Sequence, residues 1–325
     1  MRIGILGAAK IAGTSLVRPA RNVGDVTVAA IAARNPARAS RYATRHGIPV
    51  TYSSYEELLD DSSLDAVYIP LPNALHGRWM ARALESGKHV LCEKPFTANA
   101  DEASDIAALA EKTRLVVMEA FHYRYHPLSE RILDILASNE IGEIRSIDTV
   151  FCVPMPPSSR NIRWNYELGG GSMMDLGAYA AHMVRTFSGE EPAVVSAKAR
   201  VHDVTIDRYL RAELAFPSGA NGSMTVAMWS STIFSLRLDI VGRRGRMRVS
   251  RPLSPQFFAR IVTTTDAGRR VERTTRRPSY EFQLEAFRDA LDGGPNLTPP
   301  ADSVATMTLI DAAYRAAGLP LRLPA

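Results

Sequence analysis

The first 120 residues alternate short apolar runs with segments of helical periodicity, and this alternation restricts the fold more than any other feature. The runs cover residues 2–7, 26–34, 64–72, 88–94 and 115–120. Each is apolar at odd and even positions alike, which is typical of strands buried on both faces of a parallel sheet. Residues typical of helix ends stand between them, since Asn35-Pro36 fits a helix start and Gly47 and Gly87 fit helix ends. The pattern predicts a doubly wound Rossmann domain.

The pattern changes after residue 127. Residues 127–139 and 172–188 have helical periodicity. Short turns separate a series of strand-like runs, which predicts a large open sheet that is mostly antiparallel. These runs cover residues 144–153, 193–203, 208–216, 221–229, 234–241 and 246–250.

A chain of 325 residues exceeds what one core usually serves, so two domains are expected. We predict an α/β protein with a Rossmann domain at residues 1–121. A second α/β domain is predicted at 122–325, with C-terminal helices able to pack back on the first domain.

Composition excludes several classes of protein. Hydrophobic residues make up 46% and charged residues 22%, as in soluble globular proteins. The start MRIGILGAAK lacks the apolar stretch of a signal peptide, and no apolar run approaches the ~20 residues of a membrane helix. Cys92 and Cys152 are isolated, so we expect two small buried residues, with no disulfide and no metal site. We predict a cytoplasmic protein with no membrane partner.

The net charge of +5 raises the question of nucleic acid, because residues 242–251 and 269–277 are rich in arginine. Neither stretch interleaves aromatic residues or matches a nucleic-acid-reading motif. A solvated rim or an anion-steering surface fits better, and we predict no nucleic-acid partner.

The segment GILGAAKIA after the first predicted strand is a candidate dinucleotide loop. A Rossmann fingerprint needs small residues for the turn, for the approach to pyrophosphate and for helix packing, and Gly7, Ala9 and Ala12 occupy these places. The alternative is a tight strand-to-helix turn without a ligand.

The second predicted strand bears on the choice of cofactor. An NAD site usually has an acidic residue at its end to bind the ribose, whereas this chain has Arg34 and Arg38. Arginines there favour a 2′-phosphate, so NADP(H) is preferred and NAD(H) stays open. Alternatively, both arginines cover the start of a solvated helix.

The segment YIPLPNALH ends the next predicted strand. Asn73 is expected to cap the helix that follows and to leave His76 near the carboxyl edge of the sheet, where ligands bind in this fold. A histidine on the helix surface is the alternative.

The segment LCEKPF places Lys94 at the end of another buried strand. Only 5 of the 39 basic residues are lysines, and this one precedes proline, which favours extended backbone and a side chain directed over the sheet. Its ammonium could stabilise charge on a substrate oxygen or assist proton transfer, with Glu93 orienting it. An ordinary surface Glu-Lys pair is the alternative.

The segment GGGSMMDLGAYAAH, residues 169–182, is the candidate proton-transfer element. Ser172 fits an N-cap with Asp175 completing a capping-box-like arrangement, which is the structural alternative for Asp175. Helical spacing nevertheless puts Asp175, Tyr179 and His182 on one face. A carboxylate, a phenol and an imidazole together indicate proton handling.

These motifs, together with EAFHYRYHP (119–127) and RWNYELGGGSMMDLGAY (163–179), resemble the glucose-fructose oxidoreductase, inositol dehydrogenase and MocA (Gfo/Idh/MocA) family over nearly the whole chain. The branch with dimeric dihydrodiol dehydrogenase and NADP-dependent xylose dehydrogenase is most similar. The inositol branch typically has histidine where Tyr179 stands. The resemblance implies a Rossmann domain, a second domain whose open sheet often forms the oligomer interface, and hydride transfer at a sugar-like alcohol or carbonyl.

The resemblance also implies roles for individual residues. Lys94 would contact nicotinamide and substrate, Asp175 would be the helix aspartate, and Tyr179 would donate or accept the proton. The implied cofactor-binding residues are Gly7, Ala8, Ala9, Lys10, Ile11, Arg34, Arg38, Leu71, Pro72, Asn73, His76, Glu93 and Lys94. The implied substrate-binding residues are His122, Arg124, Arg163, Trp164 and His182.

We therefore predict an NADP(H)-dependent oxidoreductase acting on a sugar, polyol or diol, and a homo-oligomer, dimer or tetramer, formed through the C-terminal sheet. The alternative is a non-catalytic NADP-binding regulator or redox sensor on the same fold.

Overall fold

The computed structural model describes residues 1–203 and 205–325, which form two compact units. Unit 1 comprises residues 1–125, 278–304 and 324–325, and unit 2 comprises residues 126–277 and 305–323. Neither unit is one continuous segment. The domain ranges drawn from the sequence stay predictions.

The strands and helices are numbered in chain order. The strands are β1 Arg2–Leu6, β2 Thr27–Ala32, β3 Val50–Tyr52, β4 Ala66–Ile69, β5 His89–Cys92, β6 Val117–Glu119, β7 Ile144–Cys152, β8 Ala193–Val201, β9 Asp207–Ala215, β10 Asn221–Ala227, β11 Ser235–Gly242, β12 Gly245–Ser250, β13 Arg260–Thr265 and β14 Gly268–Arg273. The helices are α1 Pro36–His46, α2 Tyr55–Leu59, α3 His76–Glu85, α4 Ala100–Thr113, α5 Pro127–Ala137, α6 Ala178–Ser188, α7 Ser279–Leu291 and α8 Pro300–Ala316.

Unit 1 is built on a six-stranded parallel sheet, as the apolar runs predict. Its strand order is β3-β2-β1-β4-β5-β6. The chain winds outward from β1 in one direction and then from β4 in the other, so the order reverses between these two neighbours. Ligands of doubly wound sheets bind at the carboxyl ends of the strands beside such a reversal.

Helix α1 begins and ends at the residues that the sequence predicts. The Asn35 side chain accepts a hydrogen bond from the backbone N–H of Arg38, Pro36 is the first helical residue, and Gly47 closes the helix with a φ of 71°. A left-handed residue at this position suits glycine, which has no Cβ.

The core of unit 1 also takes in a helix from late in the sequence. Ile3 and Ile5 of β1 belong to one buried cluster with Leu284 and Phe287 of α7. These four side chains are fully buried. The stability of the parallel sheet therefore depends in part on residues after 278.

Unit 2 is built on an eight-stranded sheet in the order β14-β13-β12-β11-β7-β10-β9-β8. Adjacent strands are antiparallel except for the parallel pair of β7 and β10. Helix α6 packs on the central strands β7 and β10. The mixed helices and strands and the mostly antiparallel second sheet confirm the predicted α/β fold class.

The predicted helix 172–188 is not one α-helix. Residues Met173–Gly177 form a π-helical turn, and α6 follows directly. Such turns occur frequently at functional sites.

Sequence patterns missed three strands of the two sheets. One is the three-residue β3, which is too short for alternation to show. The others are β13 and β14; the latter is an edge strand that is almost wholly exposed and rich in arginine. Charged side chains on an edge strand hinder pairing with other chains.

Several arginines of the two basic stretches have acidic partners within unit 2. The pairs are Arg243 with Glu143, Arg248 with Asp239, and Arg270 with both Glu140 and Glu272. Surface pairs of this kind contribute little stability, about 0–1 kcal/mol each.

Both cysteines are free and buried, as expected. No helix in residues 1–203 and 205–325 combines the length and the apolar character needed to cross a membrane.

Candidate functional site

The loop after β1 makes a turn that only glycine fits. Gly7 has a φ of +110°, and a Cβ there would lie 2.8 Å from a methyl carbon of Leu71, after β4. The loops that follow β1 and β4 therefore touch at the predicted ligand edge of unit 1. Ile11, in the first of them, keeps 40% of its surface exposed although it is apolar.

The chain offers a strongly cationic cavity beside this loop. Arg34 and Arg38 are exposed at the end of β2 and the start of α1, and Nη2 of Arg38 donates to the carbonyl oxygen of Ala8 over 3.1 Å. The cavity next to them has a volume of about 490 Å³. It is lined by Ala8, Lys10, Gly13, Thr14, Arg18, Arg38, Arg41, Tyr42, Arg45 and His46. This donor set includes no carboxylate, so the residues fit a phosphorylated dinucleotide with a 2′-phosphate better than one with free ribose hydroxyls.

Burial and nearby arginines lower the pKa of His46, the histidine that lines this cavity. Burial lowers the pKa of His46, and the positive charges of Arg45, Arg21 and Arg18 lower it further. A cationic potential therefore acts on the cavity.

His76 is buried rather than on the surface of α3. Its Nδ1 lies 2.7 Å from the carbonyl oxygen of Pro95, and its Nε2 lies 2.9 Å from that of Leu71. Burial lowers the pKa of the His76 ring. The hydrogen bonds to the two carbonyl oxygens act in the opposite direction but do not cancel this effect. His76 links the loops after β4 and β5, and its direct contact with a cofactor stays a prediction.

The expected cap by Asn73 is wrong. Asn73 begins a short 3₁₀ turn, Asn73–Leu75, and α3 starts after it without a side-chain cap. The two prolines before it favour a tighter turn over direct entry into an α-helix.

A hydrogen-bonded chain leads to the predicted Lys94 segment. The Ser15 hydroxyl lies 2.6 Å from the Tyr68 hydroxyl, which donates to Oε1 of Glu93 over 2.5 Å. Burial raises the pKa of Tyr68 well above its usual value, so the phenol keeps its proton. Lys94 follows, half-buried, two residues after the end of β5. No motif in the sequence pointed to Ser15 or Tyr68.

Glu119, at the end of β6, is a buried carboxyl group. It lies opposite Cys92 in the register of β5 and β6 and is 1% exposed. Burial raises its pKa to about 8, while the Ser303 side chain, the Phe96 backbone and the charge of Lys94 lower it in part. Glu119 is therefore mostly protonated at neutral pH.

This carboxyl group should make the stability of unit 1 depend on pH. Its pKa is raised on folding, so its contribution is complete below pH 4.5 and is lost as the pH rises to about 8. In this window the slope from one such group is at most about 1.4 kcal/mol per pH unit. We expect Glu119→Gln to gain stability relative to the wild type as the pH rises from 5 to 8. Urea unfolding of both proteins at matched pH values measures the difference, and parallel curves would contradict the assignment.

His122 and Arg124 lie in a 3₁₀ turn of unit 1, His122–Tyr125. The His122 Nδ1 atom is 2.7 Å from the Ser279 hydroxyl, and its ring packs against Tyr280 at 4.1 Å between centroids. His122 is 4% exposed, while Arg124 is half-buried. Their roles at a substrate stay predictions.

In unit 2, the three glycines form a compressed turn. The backbone N–H groups of Gly170 and Gly171 donate to the carbonyl oxygens of Asn165 and Arg163. A Cβ on Gly170 would lie 2.6 Å from the Arg163 oxygen, which excludes a side chain. The turn also brings Nε of Arg163 to 2.8 Å from Oδ2 of Asp175.

Asp175 therefore pairs with Arg163 and does not complete a capping box with Ser172. Ser172 stands at the N-cap position of the π-helical turn, but its side chain accepts no capping hydrogen bond. The hydroxyl instead donates to Oδ2 of Asp207 over 2.7 Å. The capping-box arrangement weighed from the sequence is wrong, because a carboxylate distant in sequence takes the serine hydroxyl.

The π-helical turn also changes the geometry of the predicted proton-handling face. Asp175 lies in the turn, whereas Tyr179 and His182 lie in α6, so α-helical spacing relates only the last two. Tyr179 is 8% exposed and His182 is 1% exposed, with its Nδ1 atom 3.3 Å from the Thr186 hydroxyl. Tyr179 thus retains more contact with solvent than His182.

Trp164 lies in a small apolar cluster with Ile206 and Met228. It is 8% exposed, and its ring contacts His202 edge to face at 4.9 Å between centroids. Trp164 is therefore part of a hydrophobic cluster of unit 2, and its contact with a substrate stays a prediction.

Sequence reasoning missed a buried ion pair beneath the glycine turn. Arg322 and Asp207 are both fully buried, with Nη2 of Arg322 2.8 Å from Oδ1 of Asp207. A lone arginine among the apolar residues of LPLRLP was the available signal. In the part of the chain that the structure describes, no three His, Cys, Asp or Glu side chains are grouped to hold a metal ion.

Models of two protein-family domains match most of the chain. The model described as the oxidoreductase family with an NAD-binding Rossmann fold matches residues 1–121, and that of the GFO/IDH/MocA C-terminal domain matches residues 130–248.

Full-length relatives are also similar. The chain is 39% identical over 320 residues to D-xylose 1-dehydrogenase (NADP(+)) 2 of Haloferax volcanii, covering 98% of this chain and 97% of the relative. It is 31% identical to trans-1,2-dihydrobenzene-1,2-diol dehydrogenase of Xenopus tropicalis, covering 91% of each.

A solved structure superimposes over nearly the whole chain. The 3-ketoreductase KijD10 of Actinomadura kijaniata, crystallised with NADP and TDP-benzene, is 28% identical, with a TM-score of 0.89 and 97% of each chain covered. With two matching domain models and relatives similar along their full length, this chain belongs to the Gfo/Idh/MocA family of oxidoreductases.

Proposed function

We propose that this protein transfers hydride between NADP(H) and the alcohol or carbonyl group of a sugar-like or cyclic diol substrate. The observation that carries the cofactor choice is the pair of exposed arginines, Arg34 and Arg38, beside a cavity lined by cations. The relatives are named for xylose, a dTDP-deoxysugar and dihydrobenzene-diol. What these substrates share is an oxygen on the carbon next to the reacting carbon.

The residues of unit 1 that we propose for cofactor binding all lie at the carboxyl ends of neighbouring strands. The loop Gly7–Ile11 follows β1, Arg34 and Arg38 follow β2, and residues 71–73 follow β4. Glu93, oriented by Tyr68, and Lys94 follow β5. When bound, the nicotinamide supplies or accepts the hydride, while the protein orients it and handles charge and protons.

We propose Tyr179 as the residue that accepts the hydroxyl proton in the oxidative direction, with Asp175 as an orienting residue. Asp175 is itself fixed by its ion pair with Arg163. The ammonium of Lys94 stabilises negative charge on the substrate oxygen, as a preorganised positive group does in general. Arg163, Trp164, His182, His122 and Arg124 are proposed as secondary contacts.

Oligomerisation through the large sheet, a cytoplasmic location and the absence of a nucleic-acid partner are parts of the same proposal. The alternative of a non-catalytic NADP-binding regulator is disfavoured because the similar proteins are named dehydrogenases and reductases.

A spectrophotometric screen tests the function. Pentoses, hexoses, deoxysugars, inositols and dihydrodiols are assayed at 340 nm with NADP and NAD in parallel. We expect turnover of at least one sugar or diol, with a kcat/KM for NADP above that for NAD. The double variant Arg34→Ser/Arg38→Ser should lose about 10- to 100-fold in kcat/KM for NADP while its NAD activity changes little, because only NADP has the 2′-phosphate.

Arg269→Ser/Arg276→Ser, two exposed arginines of unit 2, is the matched control for the loss of positive charge. Turnover that does not depend on Arg34 and Arg38 would contradict their role. Cofactor binding without turnover of any class in the screen would favour the regulator.

A further inference from the structure

The buried pair of Asp207 and Arg322 lies directly beneath the turn that leads into the proposed proton-transfer helix. Asp207 begins β9, and Arg322 follows α8. Both are 0% exposed. An ion pair with no access to water is seldom needed for stability alone, since apolar residues can replace such pairs without loss. A further role is therefore worth identifying from its contacts.

Each oxygen of Asp207 has two donors. Oδ1 accepts from Nη2 of Arg322 over 2.8 Å and from the Tyr314 hydroxyl over 2.9 Å. Oδ2 accepts from the Ser172 hydroxyl and from the backbone N–H of Met173, both over 2.7 Å. The second pair of donors is the start of the π-helical turn that contains Asp175. Asp207 thus caps that turn, a task usually done by a residue adjacent in sequence.

Arg322 holds the other side of the same turn. Its Nε donates to the carbonyl oxygen of Gly170 over 2.6 Å, and its Nη1 donates to that of Pro320 over 2.9 Å. Its guanidinium lies 4.2 Å from the ring centroid of Tyr314 and 5.1 Å from that of Tyr166. All three nitrogens thus have partners, and the guanidinium lies over two aromatic rings, which restricts its orientation.

Gly171 fits between these groups with no room to spare. Its φ is +125°, and a Cβ would lie 2.2 Å from Oδ1 of Asp207 and 2.6 Å from Nη2 of Arg322. Its carbonyl oxygen accepts the backbone N–H of Asp175 over 3.1 Å. The position of Asp175, and of the helix that continues to Tyr179, is therefore set from the ion pair through Gly170, Gly171 and Met173.

We propose that Asp207 and Arg322 are positioning residues for hydride transfer: they fix the π-helical turn that bears Asp175 and, through it, the start of α6, which bears Tyr179. This inference rests on the proposed function. Neither residue touches substrate or cofactor in this role. A displacement of a proton-accepting group by about 1 Å can cost on the order of 100-fold in rate, so a fixed helix start has a kinetic consequence.

The test uses mild variants, because Asp207→Ala or Arg322→Ala can prevent folding. Ser172→Ala removes one donor to Oδ2, and Tyr314→Phe removes one donor to Oδ1. Ser223→Ala is the matched control, since Ser223 is a buried serine of unit 2, 3% exposed, whose hydroxyl donates to a different aspartate, Asp148, over 2.6 Å. The measurements are kcat, KM, the Kd of NADPH by fluorescence, and Tm.

We expect Ser172→Ala and Tyr314→Phe to lower kcat about 10-fold or more, with KM and the Kd of NADPH within about twofold of the wild type. Ser223→Ala should keep its kcat even where its loss of Tm is equal. Unchanged kcat in both test variants, or an equal loss in Ser223→Ala, would overturn the positioning role. The proposed function has a separate test in the substrate screen: if the wild type turns over no sugar or diol with NADP, the function fails whatever the positioning variants do.

Discussion

Replacing Tyr179 with phenylalanine is expected to lower kcat by about 10²- to 10⁴-fold, the usual contribution of a general acid or base. The ring is 8% exposed, so the substitution removes the hydroxyl and leaves the packing of α6 in place. Cofactor affinity should not change, because the residues proposed to bind the dinucleotide belong to unit 1. Steady-state kinetics on the best substrate of the screen and a fluorescence titration with NADPH measure the two quantities.

Tyr209→Phe, a half-buried tyrosine of β9, is the control for removing a phenol from unit 2. It should retain wild-type turnover. If Tyr179→Phe also retains turnover within a fewfold, then Tyr179 is not the proton acceptor.

Removing the ammonium of Lys94 should have an effect of similar size. We expect Lys94→Ala to lose about 10²- to 10³-fold in kcat, as enzymes do when one preorganised group that stabilises an oxyanion is deleted. Lys94→Arg keeps the charge but not its compact shape, so we expect partial activity. The kinetic assays are those used for Tyr179→Phe.

Lys112→Ala is the control, because Lys112 is an exposed lysine on α4 of the same unit. Its activity should equal that of the wild type. A Lys94→Ala protein with near-normal kcat would reduce LCEKPF to a surface charge pair at the end of a strand.

The cofactor-binding residues proposed for unit 1 could be selected from the sequence because their placement depends on local rules. Parallel strands end at a common edge, so the residues that follow each apolar run must lie near one another. Gly7, the arginines after β2 and Lys94 could be selected in this way. Asn35 and Gly47, which bound α1, were equally readable.

What the sequence did not reveal depends on residues far apart in the chain. His76 is isolated in the sequence, and only the approach of Leu71 and Pro95 explains its burial. The capping box of Ser172 and Asp175 is the structural alternative that the sequence offers, but Asp207, 35 positions away, accepts the hydrogen bond of the same serine hydroxyl. No local pattern encodes that competition, and the π-helical turn that accompanies it has no periodicity of its own to detect.

The interleaved construction of the two units limits when each can fold during synthesis. Unit 1 needs α7 for its core, and unit 2 needs Arg322, which is 115 residues beyond its partner Asp207. While the ribosome is still making the last helix, Asp207 is a carboxylate without its counter-charge, and burying it then would be costly. Neither unit can complete its native structure before residues after 278 emerge. During translation both units therefore have incomplete cores at the same time, and the first does not finish folding before the second is made.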